Sequence, residues 1–227
     1  DEDEELEEWS VGEKLRFYFE DLSLAEWLQD LEQDRLKIAA LLKEAKAITP
    51  SRDNKLQHLK ALIQHKFTHP STNRLGQPVR KVLVFTAFAD TAKYLYQQLH
   101  EWAKQTGGVE SALVTGNEVR TTLEKAKGKV YFETVLTHFS PRSKEWKKGG
   151  KEIDLLIATD CISEGQNLQD GDYLINYDIH WNPVRVIQRF GRIDRLNSFN
   201  ATVQMVNFWP TDDLEEYLNL NRRVKSK

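Results

Sequence analysis

Cysteine occurs once, at Cys161. That excludes an internal disulfide framework and any multi-cysteine zinc site, and it fits a reducing compartment. Long apolar runs are missing too: no stretch approaches the roughly 20 residues that cross a bilayer. The first eight residues, DEDEELEE, hold seven acids, the opposite of a secretory leader. An intracellular protein is expected, cytoplasmic if bacterial, with no membrane partner. Internal repeats are absent, and so are low-complexity tracts beyond the acidic start. A chain that opens without methionine on such a run is expected to be a piece of something longer.

What is present divides at Pro50. Residues 1–50 carry 15 acids and 6 bases, net −9, whereas residues 51–227 carry 20 acids and 26 bases, net +6. The larger part is mildly basic, compatible with a polyanionic partner and equally with a mixed solvated surface. Between Val11 and Ala47, Leu24, Trp27, Leu28 and Leu31, then Leu36, Ile38, Leu41, Leu42 and Ala45, recur at helical spacing. Two amphipathic helices are expected there. Pro50 ends the second, and a third opens near Asn54 with the stripe Leu56, Leu59, Leu62, Ile63 and Phe67. His69 to Asn73 breaks it. Residues 1–79 are therefore expected to form an acidic helical connector segment, whose role is packing or contact with a protein partner.

After Arg80 short β-branched runs alternate with helical stretches, the signature of an α/β domain, residues 80–227, with a mostly parallel sheet covered on both faces. Strands are expected at Lys81–Phe85, Ser111–Val114, Ile153–Ala158, Tyr173–Tyr177 and Thr202–Phe208. Helices are expected at Asp90–Lys104, at Asn117–His138 with Val130, Phe132, Val135 and Phe139 facing inward, from Pro183 onward and at Thr211–Arg223. Ligands of such sheets sit beyond the carboxyl ends of the strands. The residues there are Thr86, Thr115 with Gly116, Thr159 with Asp160, and Asp178.

The stretch QRFGRIDR follows Asn182 and Pro183, which read as N-cap and first helical residue. Gln188, Arg192 and Arg195 are spaced i, i+4 and i+7, so one helix face is expected to carry all three. Two planar, always charged guanidinium groups on one face suit a phosphate, which each can bind bidentately.

Three blocks in order now resemble a known family over Lys81 to Phe208. KVLVFTAF resembles motif IV, IATDCISEGQNLQ resembles motif V, and QRFGRIDR resembles motif VI of superfamily 2 helicases and translocases. DIHWNP resembles the segment that precedes motif VI in the Swi/Snf-like and bacterial RNA-polymerase-associated translocase branch. The resemblance implies a RecA-like three-layer domain, the carboxyl-terminal lobe of a motor. It assigns Arg192 and Arg195 as arginine fingers for the γ-phosphate of ATP, with Gln188 accompanying them. Glu164, Gly165 and Asn167 are placed toward the nucleotide cleft, and Thr86, Thr115, Gly116, Thr159 and Asp160 toward the backbone of a nucleic-acid strand, double-stranded DNA being the expected partner.

One departure matters. No GxxxxGK[ST] and no DEAD-like magnesium box occur. ATP with Mg2+ is therefore expected on an N-terminal RecA-like lobe outside this sequence, and the chain alone is expected to be inactive. Each blander reading has its place. His65 and His69 are four apart but lack a third ligand, so no metal site is expected. Cys161 has no placed base and reads as a small apolar residue. Trp181 reads as packing rather than base stacking. The basic loop Arg142–Lys151 suits a phosphate backbone and a solvated surface equally. The competing reading is a helicase-like fold kept as a non-catalytic interaction module that binds a protein partner.

Overall fold

The structure, a computed structural model, describes residues 10–11, 17–18, 23–123, 132–147, 149–162, 165–180, 182–196 and 198–209. The chain forms two compact units, Asp1–Asp53 and Asn54–Lys227. In the first, β1 (Ser10–Val11) pairs antiparallel with β2 (Phe17–Tyr18), and α1 runs without a break from Leu24 to Ala47. Two helices were expected here and one forms. The charged run around Asp30, Glu32 and Asp34 interrupts the apolar stripe, yet it holds no Pro or Gly to stop a helix. Arg35 and Glu32, one turn apart, pair through two hydrogen bonds of 2.6 and 2.7 Å.

The second unit opens with α2 (Asn54–Thr68), followed by the short antiparallel pair β3 (Ser71–Thr72) and β4 (Pro78–Val79). Grouped on sequence with the connector, α2 buries Leu56, Leu59, Ile63 and Phe67 in the core of this unit. Then come β5 (Val82–Phe85), α3 (Ala89–Gly107), β6 (Glu110–Val114), β7 (Val119–Thr121), α4 (Phe132–Phe139), β8 (Ile153–Ala158), β9 (Tyr173–Asn176), α5 (Pro183–Phe190) and β10 (Gln204–Asn207). The sheet order is β10-β9-β5-β8-β6-β7, parallel throughout except for β7.

Every residue of β5 is buried, because alternate side chains point to opposite covered faces. Val82 and Val84 join the core beneath α2 and α3, whereas Leu83 and Phe85 join the one that includes Val135, Leu136 and Phe139 of α4. Leu155 and Ile157 of β8 divide from Leu156 and Ala158 in the same way. The result is a helix–sheet–helix sandwich. Helix α3 ends on Gly108, whose φ of 62° is the left-handed cap that glycine adopts without a Cβ penalty.

The start of the stretch Asn117–His138 departs from its expected helix, whereas Phe132–Phe139 forms one with Phe132, Val135 and Phe139 turned to the core. Thr115 to Glu118 makes a hairpin turn, Thr115 N–H donating to the Glu118 carbonyl at 2.8 Å, and β7 returns antiparallel to β6. Gly116 and Asn117 are turn formers, and Val119 and Thr121 are β-branched, so local preference already favoured the strand. Val130 and the closing helix at 211–223 lie outside the described residues.

Candidate functional site

The carboxyl ends of β9, β5, β8 and β6 lie side by side, and the next residues extend the ladder. Tyr177 N–H donates to the Phe85 carbonyl at 2.8 Å, Thr86 to Ala158 at 3.0 Å, and Thr159 to Val114 at 3.1 Å. Asp178, Thr86, Thr159 and Thr115 are thus brought to one edge in that order, with neighbouring strands about 4.8 Å apart. Their hydroxyls are engaged. Thr86 is 0% exposed and donates to an Asp178 carboxylate oxygen, while Lys55 holds the other oxygen at 3.1 Å. Thr159 donates to Cys161 Sγ at 3.4 Å, and Thr115 to the Glu118 carbonyl at 3.3 Å. Gly116 is exposed at the hairpin tip.

Asp160 is occupied differently from its expected place against a strand. Its carboxylate accepts two hydrogen bonds from Arg189, Oδ1 from Nε at 2.6 Å and Oδ2 from Nη2 at 2.9 Å. Arg189 is the central residue that the sequence reading missed. Its guanidinium is fully buried, donates through Nη1 to Asn176 Oδ1 at 2.9 Å and to the Asp178 carbonyl at 3.0 Å, and lies 5.1 Å from the Phe85 ring centroid. A buried charge must be paired, and here Asp160 meets it fork to fork. The available signal was positional: Arg189 is three residues after the buried Val186, on the stripe of α5 that faces the sheet.

Helix α5 begins as expected. Asn182 Oδ1 accepts from Val184 N–H at 3.0 Å and Pro183 occupies the first turn. It ends sooner than expected. The helix stops at Phe190 with Gly191 as C-cap, so Gln188, Arg192 and Arg195 do not share a helix face. Residues 191–193 form a turn instead, with Arg192 N–H donating to the Arg189 carbonyl at 3.1 Å and Ile193 N–H to Phe190 at 3.1 Å.

The two arginines nevertheless converge. Arg192 Nη1 and Arg195 Nη2 donate to one acceptor, the backbone carbonyl of Gln166, at 3.4 and 3.2 Å. Their Nε groups donate to the Gln188 and Gly191 carbonyls at 3.0 and 3.3 Å. The chain following α5 also binds the 165–168 loop through its own backbone, with Leu168 N–H donating to the Arg192 carbonyl at 2.9 Å. Within that loop Gly165 has φ 74°, a conformation that disfavours any side chain, although a Cβ there would meet nothing within 4 Å. Its glycine is thus explained by backbone conformation. Asn167 Oδ1 accepts from Gln169 N–H at 3.3 Å and shapes the turn. Gln188 Oε1 is buried without a hydrogen-bond partner. Glu164 and Trp181 lie outside the described residues.

Electrostatics follow burial. The Cys161 thiol is pushed up by burial, with the Thr159 hydroxyl opposing and the Asp160 charge reinforcing the shift. His180 is pushed down by burial, against the pull of Asp160 and with the help of Arg189 and Arg185. Its Nδ1 accepts from Asn182 N–H at 2.9 Å. Among the described residues no group of three or more His, Cys, Asp or Glu is placed to hold a metal. No helix among them is long and apolar enough to cross a membrane. His65 and His69 stack, ring centroids 4.7 Å apart.

The chain is 33% identical over 141 residues to the uncharacterized ATP-dependent helicase YqhH of Bacillus subtilis (strain 168), covering 61% of this chain and 20% of that protein. It is 32% identical over 121 residues to the RNA polymerase-associated protein RapA of Vibrio vulnificus (strain YJ016), covering 53% of this chain and 10% of that protein. The chain therefore spans a fifth or less of the length of these relatives. A solved structure of the C-terminal part of the Fun30 ATPase domain overlays with a TM-score of 0.49 at 19% identity, covering 76% of this chain and 45% of that one. Residues 54–197, which hold every strand of the sheet but β10, the threonine edge and both converging arginines, match the family described as helicase conserved C-terminal domain, and the chain belongs to that family.

Proposed function

We propose that this chain is the second motor lobe of an ATP-dependent nucleic-acid helicase or translocase acting on DNA, and that Arg192 and Arg195 are its arginine fingers. The observation that carries this reading is their convergence on a single neutral acceptor, the Gln166 carbonyl. Two charged donors that share a neutral carbonyl can be recruited by a phosphate, which charge-assisted hydrogen bonds favour. ATP with Mg2+, bound on a partner RecA-like lobe, supplies the phosphoryl group whose transfer spreads charge over its oxygens. Arg192 and Arg195 hold that charge, Gly165 and Asn167 shape the loop beside them, and Gln188 supports them from the end of α5.

Strand contact falls to Thr159, Thr115 and the exposed Gly116, which face the same edge. Thr86 joins them only by giving up Asp178, since its hydroxyl is buried against that carboxylate. Asp160 acts indirectly, by holding Arg189. Such contacts read backbone rather than bases, so binding falls steeply with salt and varies little with sequence.

The test is Arg195→Ala in the full-length protein. Nucleotide binding persists while ATP turnover drops by about 10³-fold or more, the scale of a missing finger; wild-type turnover in this variant rules the assignment out. A second reading has its own observation. Leu28, Leu31, Ile38 and Leu42 of α1 are exposed in a segment of net negative charge, which suits a protein partner. Loss of a co-purifying partner on Leu31→Glu, with ATP turnover intact, identifies that role for the first unit.

A further inference from the structure

The Gln166 carbonyl is itself held in place, and by a segment without a role so far. Lys144, in the turn 141–145 after α4, donates from Nζ to Gln166 Oε1 at 2.8 Å. Its side chain is only 22% exposed, so the bond lies largely out of bulk water. Because an ammonium can only donate, the amide oxygen must be the atom facing it, which fixes the orientation of the Gln166 side chain. Lys144 also reaches Glu133 Oε2 at 3.3 Å, but that carboxylate is 65% exposed and the pair contributes little.

The turn that carries Lys144 is rigidly seated. Arg142 N–H and Ser143 N–H donate to the two Asp170 carboxylate oxygens at 2.7 and 2.9 Å, and the Ser143 hydroxyl donates to the same group. Asp170 is buried. Gln166 is therefore gripped from two sides: its side chain from the Asp170-anchored turn, and its backbone carbonyl by Arg192 and Arg195.

We infer that Gln166 and Lys144 are positioning residues for the reaction, Lys144 setting the place of Gln166 and Gln166 setting the rest position of both arginines. The inference depends on the finger assignment of Arg192 and Arg195. Gly165, immediately before Gln166, sits in a left-handed conformation and stiffens nothing on its own account. Without the Lys144 bond the loop gains freedom, and the guanidinium groups lose the fixed carbonyl from which they move. Preorganised donors act without reorganisation at the moment of reaction, so loosening them slows turnover and leaves ground-state nucleotide binding on the partner lobe unchanged.

The experiment is a mutant cycle in the full-length protein, reading kcat and KM for ATP. Lys144→Ala is expected to lower kcat about 3- to 10-fold at unchanged KM, the pattern of weakened transition-state stabilisation with ground-state binding intact. Gln166→Ala is expected to do the same, and the double variant to be no slower than either single one, since both remove one bond. Lys144→Arg, which keeps a donor, restores kcat. Equal thermal midpoints across the set separate positioning from general destabilisation. Multiplying losses in the double variant, or wild-type kcat in Lys144→Ala, overturn the inference. Arg195→Ala keeps the two readings apart. If it abolishes turnover while Lys144→Ala is silent, only the positioning role falls. If Arg195→Ala is itself silent, the finger assignment falls and takes the positioning role with it.

Discussion

Arg189 and Asp160 are joined in parallel, Nε to Oδ1 at 2.6 Å and Nη2 to Oδ2 at 2.9 Å, with the guanidinium fully buried against Phe85. This pair ties α5 to the first residues beyond β8, so it fixes the chain that leads to Arg192 relative to the threonine edge. Removing Asp160 takes the counterion from a fully buried guanidinium, which costs about 3–5 kcal/mol, and removing Arg189 empties a fully buried site of a large side chain, a loss of similar size.

Arg189→Ala should therefore lower the unfolding free energy by about 3–5 kcal/mol in denaturant titrations. Arg189→Lys should recover little, because an ammonium cannot supply the fork that reaches Asp160, Asn176 and the Asp178 carbonyl together. A lysine variant as stable as wild type would show that the site needs only charge.

The opposite end of the sheet holds a second buried pair. Lys66 Nζ lies 2.8 and 2.9 Å from the two Asp172 oxygens, with both side chains under a tenth exposed, and the Ser71 hydroxyl donates to Asp172. Lys66→Met alone should destabilise by about 3 kcal/mol, since it strands the carboxylate. Lys66→Met with Asp172→Leu should cost far less, because an apolar pair of similar volume avoids both desolvation penalties. Equal losses in the single and double variants would contradict this, as measured by the denaturant midpoint.

What was legible beforehand follows from how each residue is buried. Strands covered on both faces, such as Ile153–Ala158, read as apolar runs and were placed to the residue. Val119–Thr121 was overlooked despite its β-branched residues, because three residues of an edge strand are too few to set an apolar rhythm. Arg192 and Arg195 stood out by spacing, but their spacing continues a helical rhythm past Gly191, where the helix has already stopped. Arg189, three residues before Arg192, was overlooked because an arginine is ordinarily exposed. Its partner Asp160 lies 29 residues away in sequence, and no local pattern links the two. The burial of Thr86 was equally invisible, since a threonine after a strand reads the same whether it faces solvent or a carboxylate.

Cys161 offers a probe of the motif V turn, being the only thiol in the chain. It is exposed yet its thiol is pushed up, chiefly by burial of the sulfur. Because the thiolate is the reactive form, alkylation at about pH 8.5, where a free cysteine is half ionised, should be slower than for a model thiol. The rate should still be climbing where that of the model thiol has levelled off. Thr159→Val removes a hydroxyl donor to the sulfur and should push the thiol further up. Faster alkylation in that variant would contradict the assigned direction.

His180 predicts the shape of the acid limb. Its pKa is lowered in the folded state, first by burial and then by Arg189 and Arg185, with Asp160 opposing. The unfolded chain therefore takes up this proton more readily, starting near the ordinary value of about 6.5. As pH falls through that value the unfolded state gains and the fold loses stability, until pH drops below the lowered folded pKa and the loss is complete. The hydrogen bond from Asn182 N–H to Nδ1 is lost if that nitrogen is protonated, which adds to the same sign. His180→Gln retains a side-chain acceptor and does not titrate. Its stability should fall less steeply than wild type as pH drops below about 6.5 and run parallel to it above pH 7. Denaturant midpoints at half-unit pH steps decide this, and a variant with an unchanged slope would place the proton uptake elsewhere.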